Sequence, residues 1–152
     1  MKINKICCIG AGYVGGPSMS VIAQKCPEII VTVVDNDINK IKLWNSEDLR
    51  NLPIHEDGLS KIIKETRGRN LFFSNDTEKA IYESEMIFLA VNTPTKSKGK
   101  GKGEDLDLTN IRNCAILISK ISKHDKIIIE KSTLPVRTAE ELKKIFQINR
   151  SK

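Results

Sequence analysis

Five short apolar runs punctuate this chain: residues 3–9 (INKICCI), 29–34 (IIVTVV), 71–74 (LFFS), 86–91 (MIFLAV) and 127–129 (III). Each is the length of a strand, and the second is almost wholly β-branched, which suits a strand buried on both faces. Between them the apolar positions fall at helical spacing. Val14, Met19, Val21 and Ile22 predict a helix over Tyr13–Gln24, with Pro17 inside its first turn, where a missing N–H costs little. Asp37 is placed to cap a helix that runs to Asn45 with Ile38, Ile41 and Trp44 at a spacing of three. Residues 46–58 read as a loop, and Leu59–Thr66 as helix-compatible. Asn75 or Asp76 would cap a short helix over Thr77–Tyr82. Ile111, Ala115, Ile118 and Ile121 share one side of a helix over Leu108–Ile121. A last helix is signalled by Ser132-Thr133, then Pro135 near its first turn, then Glu140 and Glu141, and extends to Ile148.

Strands alternating with helices imply right-handed crossovers, hence parallel strands with helices on both faces. The expected architecture is α/β, a doubly wound parallel sheet in the order 3-2-1-4-5. Its switch point lies between strands one and four. Residues 10–15 at the end of strand one, 92–95 at the end of strand four and 132–133 after strand five would meet at one edge.

Chemistry enters at that edge. The segment KICCIGAGYVGG, Lys5–Gly16, carries Gly10, Gly12 and Gly15 in G-x-G-x-x-G spacing between a strand and a helix, and VTVVD ends in Asp35 twenty residues past Gly15. In this context Gly10 permits a tight turn, Gly12 lets the backbone approach a pyrophosphate, and Gly15 lets the helix pack closely. Phosphates would sit on the free N–H groups at the helix start. The carboxylate of Asp35 would accept from both ribose hydroxyls of an adenosine. The pattern is that of a Rossmann-type, dinucleotide-binding domain covering residues 1–152. Asp35 would face a 2′-phosphate with like charge, which favours NAD over NADP, although Lys40 would soften the repulsion.

Composition alters this picture little. The chain has 152 residues, one domain by size, and its 5% aromatic content calls for an aliphatic core. The net charge of +6 suits anionic ligands without choosing among them. No apolar run approaches the ~18 residues of a membrane-spanning helix. The N-terminus enters a strand without a signal peptide's apolar core, so the expected location is cytoplasmic. Cys7, Cys8, Cys26 and Cys114 lack paired C-x-x-C spacing and read as structural thiols, so no metal site is expected. His55 and His124 have no adjacent ligand partners. The segment KSKGKGKGED, residues 96–105, is basic, glycine-rich and best read as a solvated connector.

Beyond the glycine motif, the segments KICCIGAGYVGGP, VTVVD, WNS, LPI, NLFFS, VNTPTK, GKG and EKST with PVR extend over essentially the whole chain. In these the sequence resembles the N-terminal part of the UDP-glucose 6-dehydrogenases, close to the animal-type enzymes. That resemblance implies oxidation of the C6 alcohol of UDP-glucose to a carboxylate by two NAD⁺. It implies that Gly10, Ala11, Gly12, Tyr13, Val14 and Gly15 hold the pyrophosphate and Asp35 the adenosine ribose, with Lys40 near the adenosine half. Val91, Asn92, Thr93, Pro94 and Thr95 would line the cofactor's middle, and Ser132, Thr133 and Leu134 its nicotinamide end. Thr133 would assist the chemistry as a hydroxyl donor. Lys131–Arg137 resembles a mobile loop associated with feedback inhibition by UDP-xylose.

The resemblance also marks departures. The family's cysteine nucleophile in a GFGGSC-type loop, its catalytic lysine and glutamate, its UDP-binding domain and its dimerising central helix do not occur in this sequence. Three extra residues fall near Leu49–Asn51, Asp57 replaces a proline and His55 a tyrosine. The chain stops before a sixth strand, so the expectation is a truncated domain that binds NAD without turnover. The whole protein would act on UDP-glucose as a homo-oligomer, away from nucleic acid and membrane. A regulatory dinucleotide-sensing module explains the glycine turn and Asp35 equally well, but not VNTPT or EKST with PVR. Attachment to nucleic acid or membrane through Lys96–Lys102 lacks interleaved aromatics.

Overall fold

The protein is described here by a computed structural model covering residues 2–100 and 102–150. Five strands, β1 (Lys5–Ile9), β2 (Ile30–Val34), β3 (Leu71–Ser74), β4 (Met86–Leu89) and β5 (Ile127–Glu130), form one sheet in the order β3-β2-β1-β4-β5. Every pairing is parallel, with Cys8 opposite Val33 on one side and Phe88 on the other. The α/β, doubly wound architecture and its strand order are therefore as the sequence predicts.

Six α-helices cover the sheet: α1 (Gly15–Lys25), α2 (Ile38–Trp44), α3 (Leu59–Thr66), α4 (Thr77–Glu83), α5 (Thr109–Ile121) and α6 (Thr138–Arg150). The two-residue period of a strand divides the core in two. Ile6, Cys8, Val31 and Val33 turn to one face and pack with Met19, Trp44 and Ile63 of α1, α2 and α3. Cys7, Ile9, Val34 and Ile87 turn to the other and pack with Ile81, Ile111, Ile118 and Leu142 of α4, α5 and α6. Trp44 is fully buried and stacks on Phe73, ring centroids 4.6 Å apart.

Helix starts follow their caps. The Asp37 carboxylate accepts from the N–H groups of Asn39 and Lys40, and that of Asp76 from Lys79. Asp76, not Asn75, is thus the cap of α4. Three starts come later than the sequence pattern suggests, that of α5 by one residue, at Thr109 rather than Leu108. Tyr13 and Val14 belong to the glycine turn, so α1 begins at Gly15. Pro135 lies outside α6: Arg137 adopts a positive φ of 73°, and the N–H and hydroxyl of Thr138 both donate to the Pro135 carbonyl. A single 3₁₀ turn at Leu49–Asn51, capped by Asp48, interrupts the expected loop. β4 ends at Leu89 rather than Val91; the Leu89 carbonyl receives the N–H groups of both Lys131 and Ser132, where the chain leaves β5.

Candidate functional site

The carboxyl ends of β1, β2 and β4 frame a cleft of about 350 Å³. Gly10 leaves β1 with φ +111°, and its N–H donates to Val34. A Cβ there would run into the Ala90 carbonyl, so the ends of β1 and β4 meet backbone to backbone. A Cβ on Gly15 would strike the Gly10 carbonyl oxygen, and one on Gly16 the Trp44 ring. Helix α1 can approach the sheet this closely only because both positions lack a side chain. Gly12 differs: nothing lies within 4 Å of where its Cβ would be. Among the described residues no backbone hydrogen bond occupies the N–H groups of Gly12, Tyr13 and Val14. These amides and the α1 dipole form an anion-binding end left open by the protein's own atoms.

Two buried groups brace the turn. The N–H of Ala11 donates to Asp35 Oδ2 at 2.9 Å, and the Trp44 indole N–H donates to the Ala11 carbonyl at 2.9 Å. Asp35 is only 9% exposed. Its Oδ1 accepts from the Asp37 N–H at 3.0 Å, and Oδ2 also accepts from Lys40 Nζ at 2.9 Å. Burial alone would raise the pKa of this carboxyl. The Lys40 ammonium and the two main-chain N–H groups outweigh it and hold the carboxyl below the usual range. Asp35 is therefore ionised at neutral pH and faces the cleft as a fixed acceptor.

Of the residues singled out from the sequence, Gly10, Gly12, Asp35, Lys40, Val91 and Asn92 line the cleft. Ala11 and Gly15 are buried behind it. Tyr13 and Val14 are exposed at the turn, Tyr13 by 78%. The remainder lie beyond the cleft wall and stitch two loops together. The Ser132 hydroxyl lies 2.7 Å from the Val91 carbonyl oxygen, as its donor, and the Thr93 hydroxyl donates to the Thr133 carbonyl at 2.9 Å. Pro94 accepts from the Asp107 N–H, Thr95 bridges to Leu106, and Leu134 packs on the second core. Thr133 is exposed. The Ser132 side chain is thus occupied in holding the β4 end.

Sequence reasoning missed one wall. Asn110, Asn113, Cys114 and Leu117 of α5, with Thr77 and Asn36, complete the lining. The signal is present: positions 110, 113, 114 and 117 form a stripe beside the buried stripe of Ile111, Ala115 and Ile118. The Asn110 side-chain amide donates to the Asn92 carbonyl and ties this wall to β4. Cys114 is held as a neutral thiol, pushed up to about 11 by burial.

Open amides, a carboxylate and a half-apolar wall fit the pyrophosphate, ribose and adenine of a dinucleotide. The fold and the site together define a dinucleotide-binding α/β domain. The UDP-glucose/GDP-mannose dehydrogenase family, NAD binding domain, matches residues 4–152, and the chain belongs to that family, with NAD as its cofactor. It is 57% identical over 145 residues to UDP-glucose 6-dehydrogenase 3 of Oryza sativa subsp. japonica, covering 95% of this chain and 30% of that protein. It is 55% identical to UDP-glucose 6-dehydrogenase 1 of Arabidopsis thaliana over the same shares. The chain thus spans about a third of the length of these relatives. They are plant proteins and give no support to the expected likeness to animal-type enzymes in particular. Among solved structures, a GDP-mannose dehydrogenase from Pseudomonas aeruginosa superposes with TM-score 0.81 at 27% identity, covering 97% of this chain and 33% of that one. A UDP-D-ManNAc dehydrogenase from Pyrococcus horikoshii gives TM-score 0.83 at 21% identity over the same shares, a likeness of fold alone.

Proposed function

We propose that this chain is the cofactor-binding part of a UDP-glucose 6-dehydrogenase that oxidises UDP-glucose to UDP-glucuronate with two NAD⁺. The observation that carries the reading is the set of unoccupied N–H groups at Gly12, Tyr13 and Val14 beside the braced carboxylate of Asp35. The diphosphate would take those amides. The adenosine ribose would take Asp35, and the adenine would lie toward Asn113, Cys114 and Leu117. Bound NAD supplies a nicotinamide that accepts hydride. This chain's own residues bind and orient it: the β4 end presents Val91 and Asn92, and Ser132 fixes that end through the Val91 carbonyl. Thr133, exposed on the neighbouring loop, would lend a hydroxyl near the reacting centre.

The chain alone would bind NAD and not turn over UDP-glucose, because covalent catalysis by a thiol needs an accessible, ionisable cysteine. Cys7 and Cys8 are fully buried, Cys114 is held neutral by burial, and Cys26, half-buried at the far end of α1, does not line the cleft. The complete protein would work in the cytoplasm as a homo-oligomer, without nucleic acid or membrane as partner. Calorimetric titration of the chain with NAD, paired with an assay of UDP-glucose-dependent NADH formation, tests the reading. Binding without NADH production is expected. Absence of NAD binding, or genuine turnover by these 152 residues, would overturn it.

A further inference from the structure

The segment 96–105, which reads from the sequence as a solvated connector, is folded as a hairpin. Its arms meet in an antiparallel bridge between Thr95 and Leu106. The Lys96 N–H donates to the Asp105 carbonyl at 2.7 Å, and the Gly103 N–H to the Lys96 carbonyl at 2.9 Å. Lys96 Nζ and Asp105 Oδ2 pair at 3.1 Å across the same rung. The hairpin rises from the wall of the cleft. Asn92 precedes it and Asn110 follows it, both line the cleft, and the Asn110 side-chain amide ties the two together.

Charge is divided along this prong. At its root the charges are compensated: Lys96 pairs with Asp105, Arg112 pairs with Glu141, and the Asp107 carboxylate accepts from the Thr109 N–H at the start of α5. At its tip they are not. Lys98, Lys100 and Lys102 are exposed, and none of them belongs to an ion pair among the described residues. They alternate with serine and glycine, so no apolar packing accounts for them. Three like charges so close together repel one another, and the fold gains nothing by gathering them. Arms of about four residues, ~3.3 Å apart, hold the tip ~15 Å from the cleft wall. That is too far for contact with a bound ligand. It is within reach of the tip's field, whose screening length is ~30 Å at 10 mM ionic strength and ~8 Å at 150 mM.

We propose that the hairpin 95–106 is an electrostatic collector: the ammonium groups of Lys98, Lys100 and Lys102 draw anionic dinucleotides toward the cleft and speed their capture without touching them once bound. The proposal rests on reading the cleft as the NAD site. A distant charge attracts the ligand equally at the cleft mouth and inside it, so the lysines change association and leave dissociation alone. The diphosphate of a reduced dinucleotide carries two negative charges that no positive nicotinamide offsets. Three tip charges acting on these two through water at ~15 Å speed capture about fivefold at 10 mM ionic strength and less than about twofold at 150 mM.

The test is stopped-flow capture of NADH, followed by its fluorescence, at ~10 mM and ~150 mM ionic strength. Three proteins are compared: wild type, the tip variant Lys98→Gln/Lys100→Gln/Lys102→Gln, and a control, Lys25→Gln/Lys64→Gln/Lys120→Gln. The control loses the same charge from the last turns of α1, α3 and α5. Melting curves check folding. The tip variant is expected to capture NADH about fivefold more slowly at the lower ionic strength and within about twofold of wild type at the higher, with a dissociation rate within about twofold throughout. The control is slowed by less than about twofold, because its charges lie farther from the cleft. An unchanged association rate in the tip variant at low ionic strength, equal slowing of tip variant and control, or weakening through faster dissociation overturns the proposal and leaves the NAD site standing. Failure of wild type to bind NADH sinks the reading of the cleft, and this proposal with it.

Discussion

Two glycines three residues apart separate the fold from its ligand. A Cβ on Gly15 would overlap the Gly10 carbonyl oxygen and come to 3.1 Å from Cys8 Sγ. The first obstacle is backbone, which cannot rotate away, so α1 would have to lift from the turn. Overpacking of this kind costs about 1–3 kcal/mol, and with a backbone obstacle Gly15→Ala belongs at the upper end, about 3 kcal/mol. That is a large part of a domain's usual ~5–15 kcal/mol. A Cβ on Gly12 meets nothing within 4 Å, so Gly12→Ala leaves stability within about 0.5 kcal/mol. It does stand over the open amides. Losing one or two hydrogen bonds to a charged phosphate, about 1.5–3 kcal/mol each, weakens NAD by about 100-fold. Urea unfolding followed by the fluorescence of Trp44, the chain's single tryptophan, measures the first quantity, and calorimetry the second. Wild-type NAD affinity in Gly12→Ala would refute the placement of the diphosphate. Unchanged stability in Gly15→Ala would refute the packing argument.

Other consequences are equally direct. Trp44→Phe keeps the stacked ring over Phe73 but orphans the buried Ala11 carbonyl, so it should lower stability by about 1–3 kcal/mol and loosen NAD binding; a melting curve indistinguishable from wild type would contradict this. The Asp35 carboxyl lies below its unfolded value in the folded chain, so its contribution is complete at neutral pH and is lost as pH falls through and below about 4. Asp35→Asn should flatten that part of the stability profile, and identical acid limbs for the two proteins would contradict it. Burial pushes the Cys7 thiol up to about 12 and raises Cys8 as well, so iodoacetamide should reach Cys26 first and these two only on unfolding, as peptide mapping would show. Ser132→Ala releases the Val91 carbonyl and should weaken NAD several-fold with little loss of stability; an unchanged affinity would remove Ser132 from the positioning of the β4 end.

Much of this was legible in the chain because it is set locally. Leu59–Thr66 and Leu71–Ser74 have the boundaries that their apolar spacing predicts, and the alternation of Cys7 with Cys8 and of Val33 with Val34 assigns each to a face. The glycine turn was readable because backbone collisions at Gly10 and Gly15 admit no other residue. What escaped depends on tertiary contact. Gly16 yields to the Trp44 ring, which arrives from another helix. Asn113 and Cys114 reach the cleft because the tertiary fold sets α5 beside the chain leaving β4, where the Asn110 side chain donates to the Asn92 carbonyl. Ser132 is turned to the Val91 carbonyl by a contact between loops far apart in the chain, which no local pattern reveals.

The central claim is that main-chain amides at the end of β1 grip the diphosphate of NAD while Asp35 holds its ribose. Amide-resolved NMR of the chain titrated with NAD tests this most directly. The account predicts saturable shifts concentrated at Gly12, Tyr13, Val14, Asn36 and Asn92, lost in Gly12→Ala. Shifts confined to the distant ends of the strands, near Lys5 and Lys126, would contradict it.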